Sequence, residues 1–210
     1  MESLTKQIQR YTLLLTALLL TFSSHAQISQ EVMDAFKKSY QLEASGKYSE
    51  AAETLKRVYS EDSYELNLRL GWLDYQAGLF LESKSFYHQA VSLRPMSIEA
   101  RFGLVLPLAA LGSWKQVITQ YNKILEINPN NSVANYRLGA IYYGRLEYEK
   151  AASYLEKVIN LYPFDYDGVV LYAWTNLKMK KLREAKLLFR KALLIRPGDA
   201  SALEGLRILE

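Results

Sequence analysis

The chain has 210 residues, of which 50% are hydrophobic and 23% are charged, and its formal net charge is +4. This apolar fraction excludes an intrinsically disordered chain, because the sequence can bury a substantial core. The chain has no cysteine, which excludes a disulfide framework, a zinc–cysteine site and thiol catalysis.

The first 26 residues have the three-part layout of a secretory signal peptide. Lys6 and Arg10 form a basic start, an uncharged and largely apolar run covers residues 11–22, and Ser24 and Ala26 are the small residues that cleavage after Ala26 requires. The run is shorter than the about 20 residues that a membrane-spanning helix needs. We therefore expect export to the periplasm or the extracellular space, and no transmembrane span after cleavage. An uncleaved N-terminal segment that tethers the protein to a membrane is the alternative.

A 34-residue repeat organises the remaining chain, residues 27–210. Four of the five prolines recur at this interval, at Pro95, Pro129, Pro163 and Pro197. Gly78 and Gly112 are also 34 residues apart, and Gly46 precedes Gly78 by 32. The predicted repeats 1 to 5 are 32–63, 64–97, 98–131, 132–165 and 166–199, followed by a capping helix over 200–210.

Each repeat has the pattern of two helices. In repeat 4, apolar residues recur at helical spacing over 133–145 and again over 148–161. Only Leu146 and Glu147 separate these segments, so we expect the two helices to pack antiparallel. The proline near the end of a repeat cannot continue a helix. The residues expected to cap the following helices are Ser97, Asn131 and Asp165.

At this register the residues resemble the tetratricopeptide repeat, a helix-turn-helix unit of about 34 residues. The residues where the two helices would cross are Ala51, Ser83, Val117, Ala151 and Ala185. The large residues one turn later are Leu55, Tyr87, Tyr121, Leu155 and Phe189. The Leu-Gly pair of the first helix is present as Leu70-Gly71 and Leu138-Gly139. The resemblance implies an all-α, right-handed superhelix (solenoid) of antiparallel helix pairs, whose first helices line a concave groove that binds a protein or peptide.

The groove positions implied by the resemblance are rich in aromatic residues, with arginines nearby. Rigid aromatic rings and arginine commonly anchor interfaces. Two interpretations stay open for the rings, namely binding of a partner and packing against the neighbouring helix. The predicted groove residues are Tyr40, Arg69, Trp72, Tyr75, Phe102, Tyr136, Arg137, Tyr143 and Trp174. The aromatic residues that begin the second helices, Phe80, Trp114 and Tyr148 among them, are expected to fill the core.

Pro107 lies inside the predicted first helix of repeat 3. A proline collides with the carbonyl four residues earlier, which belongs to Gly103. We expect a kink between these residues, which the small Gly103 would permit.

Positive charge is concentrated near the end of the chain. Between Lys178 and Arg196 the charges sum to +7, with Glu184 as the one acidic residue. A solvated helix surface and a binding site for an acidic partner or anionic lipid head groups both fit this block. Residues 27–210 together carry only +3, which does not suggest a nucleic-acid partner. The predicted patch comprises Lys178, Lys181, Arg183, Lys186 and Arg190.

The sequence contains no glycine-rich phosphate loop, no HExxH and no GxSxG motif. We therefore predict no catalytic residue, no metal ligand and no cofactor. The expected function is a non-catalytic protein interaction scaffold within a cell-envelope or secreted assembly, whose partner the sequence does not identify. The alternative is a carbohydrate-binding module in which the groove aromatics stack on sugar rings.

Overall fold

A computed structural model describes residues 29–210, so the predicted signal peptide lies outside the described residues. Within that range every regular element is an α-helix, which confirms the all-α prediction. None of the helices described combines the length and the apolar composition that crossing a membrane would require. The helices are α1 (Gln30–Ala44), α2 (Tyr48–Lys56), α3 (Tyr64–Gln76), α4 (Phe80–Leu93), α5 (Ile98–Ala110), α6 (Trp114–Ile127), α7 (Ser132–Gly144), α8 (Tyr148–Leu161), α9 (Tyr166–Lys178), α10 (Leu182–Ile195) and α11 (Ala200–Ile208).

The chain divides into two compact units, the first ending at Tyr59 and the second covering Ser60–Glu210. In the first unit α1 packs against α2, and the buried residues include Ala35, Ala51 and Leu55. In the second unit each helix packs against the next one along the chain, from α3 to α11. The first helices also contact one another, as in the pairs α3–α5 and α7–α9.

A polar side chain caps the N-terminus of the first helix in each pair. The predicted caps Ser97, Asn131 and Asp165 are confirmed, because each accepts a hydrogen bond from the backbone N–H three residues later. Asn131 Oδ1, for example, lies 2.9 Å from the backbone nitrogen of Ala134. In repeat 4, α8 has the predicted bounds, and α7 begins and ends one residue earlier than predicted, at Ser132 and Gly144.

The turn inside each helix pair contains one residue with positive φ. Repeats 1 to 3 have glycine there, and Gly78 has a φ of 79°. The residues 34 and 68 positions after Gly112 are Leu146 and Lys180, with φ of 63° and 61°. A residue with a side chain pays about 1–2 kcal/mol in this left-handed region, whereas glycine adopts it freely.

Helix α5 is continuous from Ile98 to Ala110, with Pro107 inside it. The carbonyl of Pro107 accepts a hydrogen bond of 2.9 Å from the N–H of Leu111, so the helical pattern continues beyond the proline. Gly103, which was expected to permit a kink, also has a packing role. It leaves space for the ring of Tyr87 on α4.

Candidate partner-binding surfaces

A cavity of about 770 Å³ opens between α5 and α7 in the second compact unit, and we call it the Trp114 cavity. Arg137 and Arg145 are the charged residues of its lining, and the others are apolar or aromatic. The lining comprises Tyr75, Val105, Leu106, Ala109, Ala110, Trp114, Val117, Tyr121, Arg137, Ala140, Ile141, Gly144 and Arg145.

In repeats 2 and 4, the residue equivalent to Trp114 packs against a second aromatic ring. In repeat 2 the ring of Phe80 lies 5.7 Å from the ring of Tyr75, measured between centroids. In repeat 4 the ring centroids of Tyr148 and Tyr143 are 5.6 Å apart. Each pair joins the first residue of the second helix to a ring near the end of the first helix.

Repeat 3 has Trp114 at this position, but Ala109 stands where the neighbouring repeats have tyrosine. Without a second ring to cover it, the Trp114 side chain remains 49% exposed. The expectation that Trp114 fills the core is therefore wrong. The structural cause is the alanine on the facing helix.

Of the predicted groove residues, Tyr75 and Arg137 are brought together at the Trp114 cavity. Tyr143 is partly buried against Tyr148, and burial raises its pKa. Tyr40 belongs to the first compact unit, where its side chain is 55% exposed and lies 6.5 Å from the ring of Phe36.

Three predicted groove residues lie in packed parts of the structure. Trp72 and Phe102 are partly buried against the hydrophobic core that contains Tyr87 and Tyr121. Arg69 is only 9% exposed. Of the two interpretations left open for the rings, packing against neighbouring side chains fits Trp72 and Phe102.

Trp174 has a similar structural role in repeat 5. Its ring meets that of Phe189 edge to face at 5.0 Å, and its Nε1–H donates to Ser201 Oγ at 2.9 Å. The side chain thus connects α9 to α10 and α11. We do not place Trp174 on the candidate surface.

A second cavity, of about 950 Å³, lies beside the connection between α8 and α9, and we call it the Tyr162 cavity. The predicted residues Tyr136 and Arg137 line it, and burial raises the pKa of Tyr136. Phe164 is 70% exposed and Tyr162 55% exposed, and neither was predicted from the sequence. The full lining is Ser132, Val133, Tyr136, Arg137, Val158, Leu161, Tyr162, Pro163, Phe164, Asp165 and Asp167.

The predicted basic patch is largely exposed, with Lys186 partly buried. The side of α10 opposite the buried Ala185, Phe189 and Ala192 carries alternating arginine and leucine, and we call it the basic face: Arg183, Leu187, Arg190 and Leu194. Leu187 is 59% and Leu194 76% exposed. The sequence indicated the charge of this helix but not its exposed leucines. Lys178 is the last residue of α9, and Lys181 directly precedes α10.

Comparisons with known proteins agree with this architecture. The tetratricopeptide repeat family matches the chain at residues 133–165 and again at 167–199. A tetratricopeptide repeat protein from Parabacteroides merdae superposes with a TM-score of 0.74 at 22% identity, over 86% of this chain and 73% of that one. The chain is a tetratricopeptide repeat protein. Its fold is that of a protein–protein interaction scaffold.

Two further proteins are similar to the chain. YrrB, a tetratricopeptide repeat protein described as having an unusual peptide-binding site, superposes with a TM-score of 0.68 at 16% identity, over 84% of this chain and 92% of that one. The human protein O-mannosyl-transferase TMTC1 is 30% identical over 165 residues. That alignment covers 75% of this chain but only 18% of the human protein, and the transferase name describes the whole of that protein.

Proposed function

We propose that this tetratricopeptide repeat protein is a non-catalytic scaffold that binds a protein segment in the Trp114 cavity. The observation that carries the proposal is a half-exposed tryptophan on the wall of a largely apolar cavity. Tryptophan and arginine are the side chains that most often dominate binding energy in interfaces. The peptide-binding site named for YrrB is a precedent for such binding by this fold.

The chemistry of the lining indicates the kind of segment that would bind. The apolar wall, which includes Leu106 and Ala140, would cover an apolar side chain of the partner. Arg137 and Arg145 are the charged residues of the lining, and both are positive. We therefore expect an apolar anchor residue with a carboxylate close to it in the partner.

Selection of short peptides on the full-length chain tests this proposal. Peptides that bind should combine an apolar anchor with Asp or Glu, and Trp114→Ala should weaken their binding at least tenfold, which corresponds to about 1.4 kcal/mol. Met96→Ala changes another exposed side chain, at 70% exposure, outside the lining and serves as the control. Peptides that bind wild type and Trp114→Ala equally well would contradict the proposal. Retention on polysaccharide that depends on Trp114 would favour the carbohydrate alternative.

We further propose that the protein acts outside the cytoplasm, in a cell-envelope or secreted assembly. The support is the signal-peptide pattern of residues 1–26, with cleavage after Ala26. Intact-mass measurement of the protein from the periplasm or medium should give a chain that begins at Gln27. A chain that keeps Met1 and sediments with membranes would support the tethered alternative instead.

The basic face of α10 is a second candidate surface, for which we propose an acidic protein partner. Leu187 and Leu194 would be covered on binding, while Arg183 and Arg190 would pair with carboxylates. The exposed leucines support this function, because apolar side chains that share an exposed face with charged residues are typical of interaction sites.

A further inference from the structure

Repeats 2 and 5 each contain an arginine stacked on a tyrosine. The guanidinium carbon of Arg94 lies 4.0 Å from the centroid of the Tyr64 ring, and that of Arg196 lies 3.6 Å from the centroid of Tyr166. The tyrosine is the first residue of the first helix, and the arginine directly follows the last residue of the second helix. The two stacks therefore occupy equivalent places in the two repeats.

The same tyrosines reach the capping residue of the next first helix. The hydroxyl of Tyr64 lies 2.8 Å from Ser97 Oγ, within hydrogen-bond distance. The hydroxyl of Tyr166 donates to the carboxylate of Asp199 in the corresponding arrangement. Each ring thus fills the space between its arginine and the following helix cap.

Repeat 4 differs at both positions, because it has Ser132 in place of the tyrosine and Tyr162 in place of the arginine. The backbone of Tyr162 (φ −129°, ψ 76°) is close to that of Arg196 (φ −131°, ψ 88°), so the two side chains leave the chain in the same direction. The short Ser132 leaves the space of a ring empty. That space is part of the Tyr162 cavity, next to the helix cap Asp165.

We propose that the Tyr162 cavity binds an arginine side chain of a protein partner. A guanidinium is planar, stacks on aromatic faces and donates hydrogen bonds to carboxylates. The cavity offers the ring of Tyr162 together with the carboxylates of Asp165 and Asp167, against one positive charge, that of Arg137. The exposed ring of Phe164 would cover the aliphatic part of the arginine.

The bound state would reverse the stacks of repeats 2 and 5, because this protein would supply the ring and the partner would supply the guanidinium. The site is separate from the Trp114 cavity proposed above, although Arg137 lines both. A variant of Trp114 leaves the Tyr162 cavity unchanged, and a variant of Tyr162 leaves the Trp114 cavity unchanged. The two proposals can therefore fail independently.

Titration of the ¹⁵N-labelled full-length chain with a blocked Ala-Arg-Ala peptide tests the proposal. Amide resonances of residues 132–137 and 161–168 should shift, and the peptide with citrulline in place of arginine should bind at least about fivefold more weakly, because citrulline has the same shape without the charge. Equal binding of the citrulline peptide or of an Ala-Tyr-Ala peptide, or no shift in these segments, would overturn the proposal.

Two double variants make the test specific. Ser132→Tyr combined with Tyr162→Arg rebuilds the internal stack, so it should fill the cavity and abolish binding of the arginine peptide. The matched control, Ile98→Tyr combined with Asn128→Arg, makes the same change at the equivalent positions of repeat 3 and should bind as wild type does. Asp167→Asn keeps the size of the side chain and should weaken binding several-fold. Full binding by the first double variant, with the helical circular dichroism of wild type, would also show the proposal to be wrong.

Discussion

The ring of Tyr87 lies directly against the backbone of Gly103. A Cβ atom added at Gly103 would be 2.1 Å from Cε1 of that ring, and one added at Gly71 would be 2.8 Å from Cγ. Tyr87 on α4 therefore packs between a glycine on α3 and a glycine on α5, and its side chain is only 3% exposed. Neither glycine has a positive φ, so close packing rather than the turn geometry requires both.

We predict that Gly103→Ala destabilises the protein by about 1–3 kcal/mol. In an exposed helix this change normally stabilises by about 1 kcal/mol, because alanine has the higher helix propensity. Here the added methyl group must displace the buried Tyr87 ring, and overpacking of a core costs more than the propensity gains. The free energy of unfolding, measured in urea, is the test.

Gly144→Ala is the matched control, because nothing lies within 4 Å of a Cβ built at the end of α7. This variant should be neutral or slightly more stable than wild type. If Gly103→Ala were as stable as Gly144→Ala, the close packing of Tyr87 would not determine the choice of glycine.

The two tryptophans Trp72 and Trp114 should respond differently to truncation. Trp72 packs against the core, so we expect Trp72→Ala to lower the free energy of unfolding by about 2–4 kcal/mol. Trp114 is half exposed, so Trp114→Ala should lower the free energy of unfolding by less than half of that amount. Chemical denaturation of both variants decides the matter, and equal losses would mean that Trp114 is a core residue after all.

Local features of the fold were predictable from the sequence because their causes are local. A cap such as Asn131 needs only a short polar side chain before a helix, and a proline between two helical segments, such as Pro163, marks where the first of them ends. Together with the 34-residue spacing, these signals predict the helices of repeat 4 to within one residue.

The cavities could not be predicted in the same way, because each depends on a residue of the facing segment. Trp114 has the position of a core residue, and only the alanine at Ala109 leaves it exposed. The Tyr162 cavity likewise depends on Ser132, a small side chain where two other repeats have tyrosine. Comparison of equivalent positions between repeats is the signal that could have found both.

Tyr166 should make the protein sensitive to alkali. Burial and the hydrogen bond to Asp199 raise its pKa from 10.0 to about 12. The unfolded chain thus loses this proton at lower pH than the folded protein, so stability is lost as the pH rises from 10 to 12. Tyr166→Phe removes the titrating group, and the slope of unfolding free energy against pH should be smaller in this variant.

The control for this measurement is Leu203→Ala, which changes an exposed side chain of α11 that carries no titrating group and should keep the wild-type slope. Other buried tyrosines titrate in wild type and in both variants, so they do not affect the comparison. Identical slopes for wild type and Tyr166→Phe would show that the raised pKa has no effect on folding.

Binding at the basic face of α10 should depend on salt. With poly-glutamate as the probe, affinity should fall steadily as sodium chloride is raised, because exposed charges are screened. Arg183→Glu combined with Arg190→Glu should abolish the binding. Lys115→Glu, at the position equivalent to Arg183 two repeats earlier, should retain most of it. If the affinity changed neither with salt nor with charge reversal, the prediction would be wrong and the basic face would be an ordinary solvated surface.

The turns with positive φ should differ in how easily they form during folding. Glycine adopts the left-handed backbone at Gly78 and Gly112 without a steric cost. At Leu146 and Lys180 the left-handed backbone costs free energy that only packing with adjacent helices can offset. Because each repeat interacts mainly with its neighbours, this cost stays local and disfavours the start of folding there. We therefore expect folding to start more readily in repeats 2 and 3 than in repeats 4 and 5.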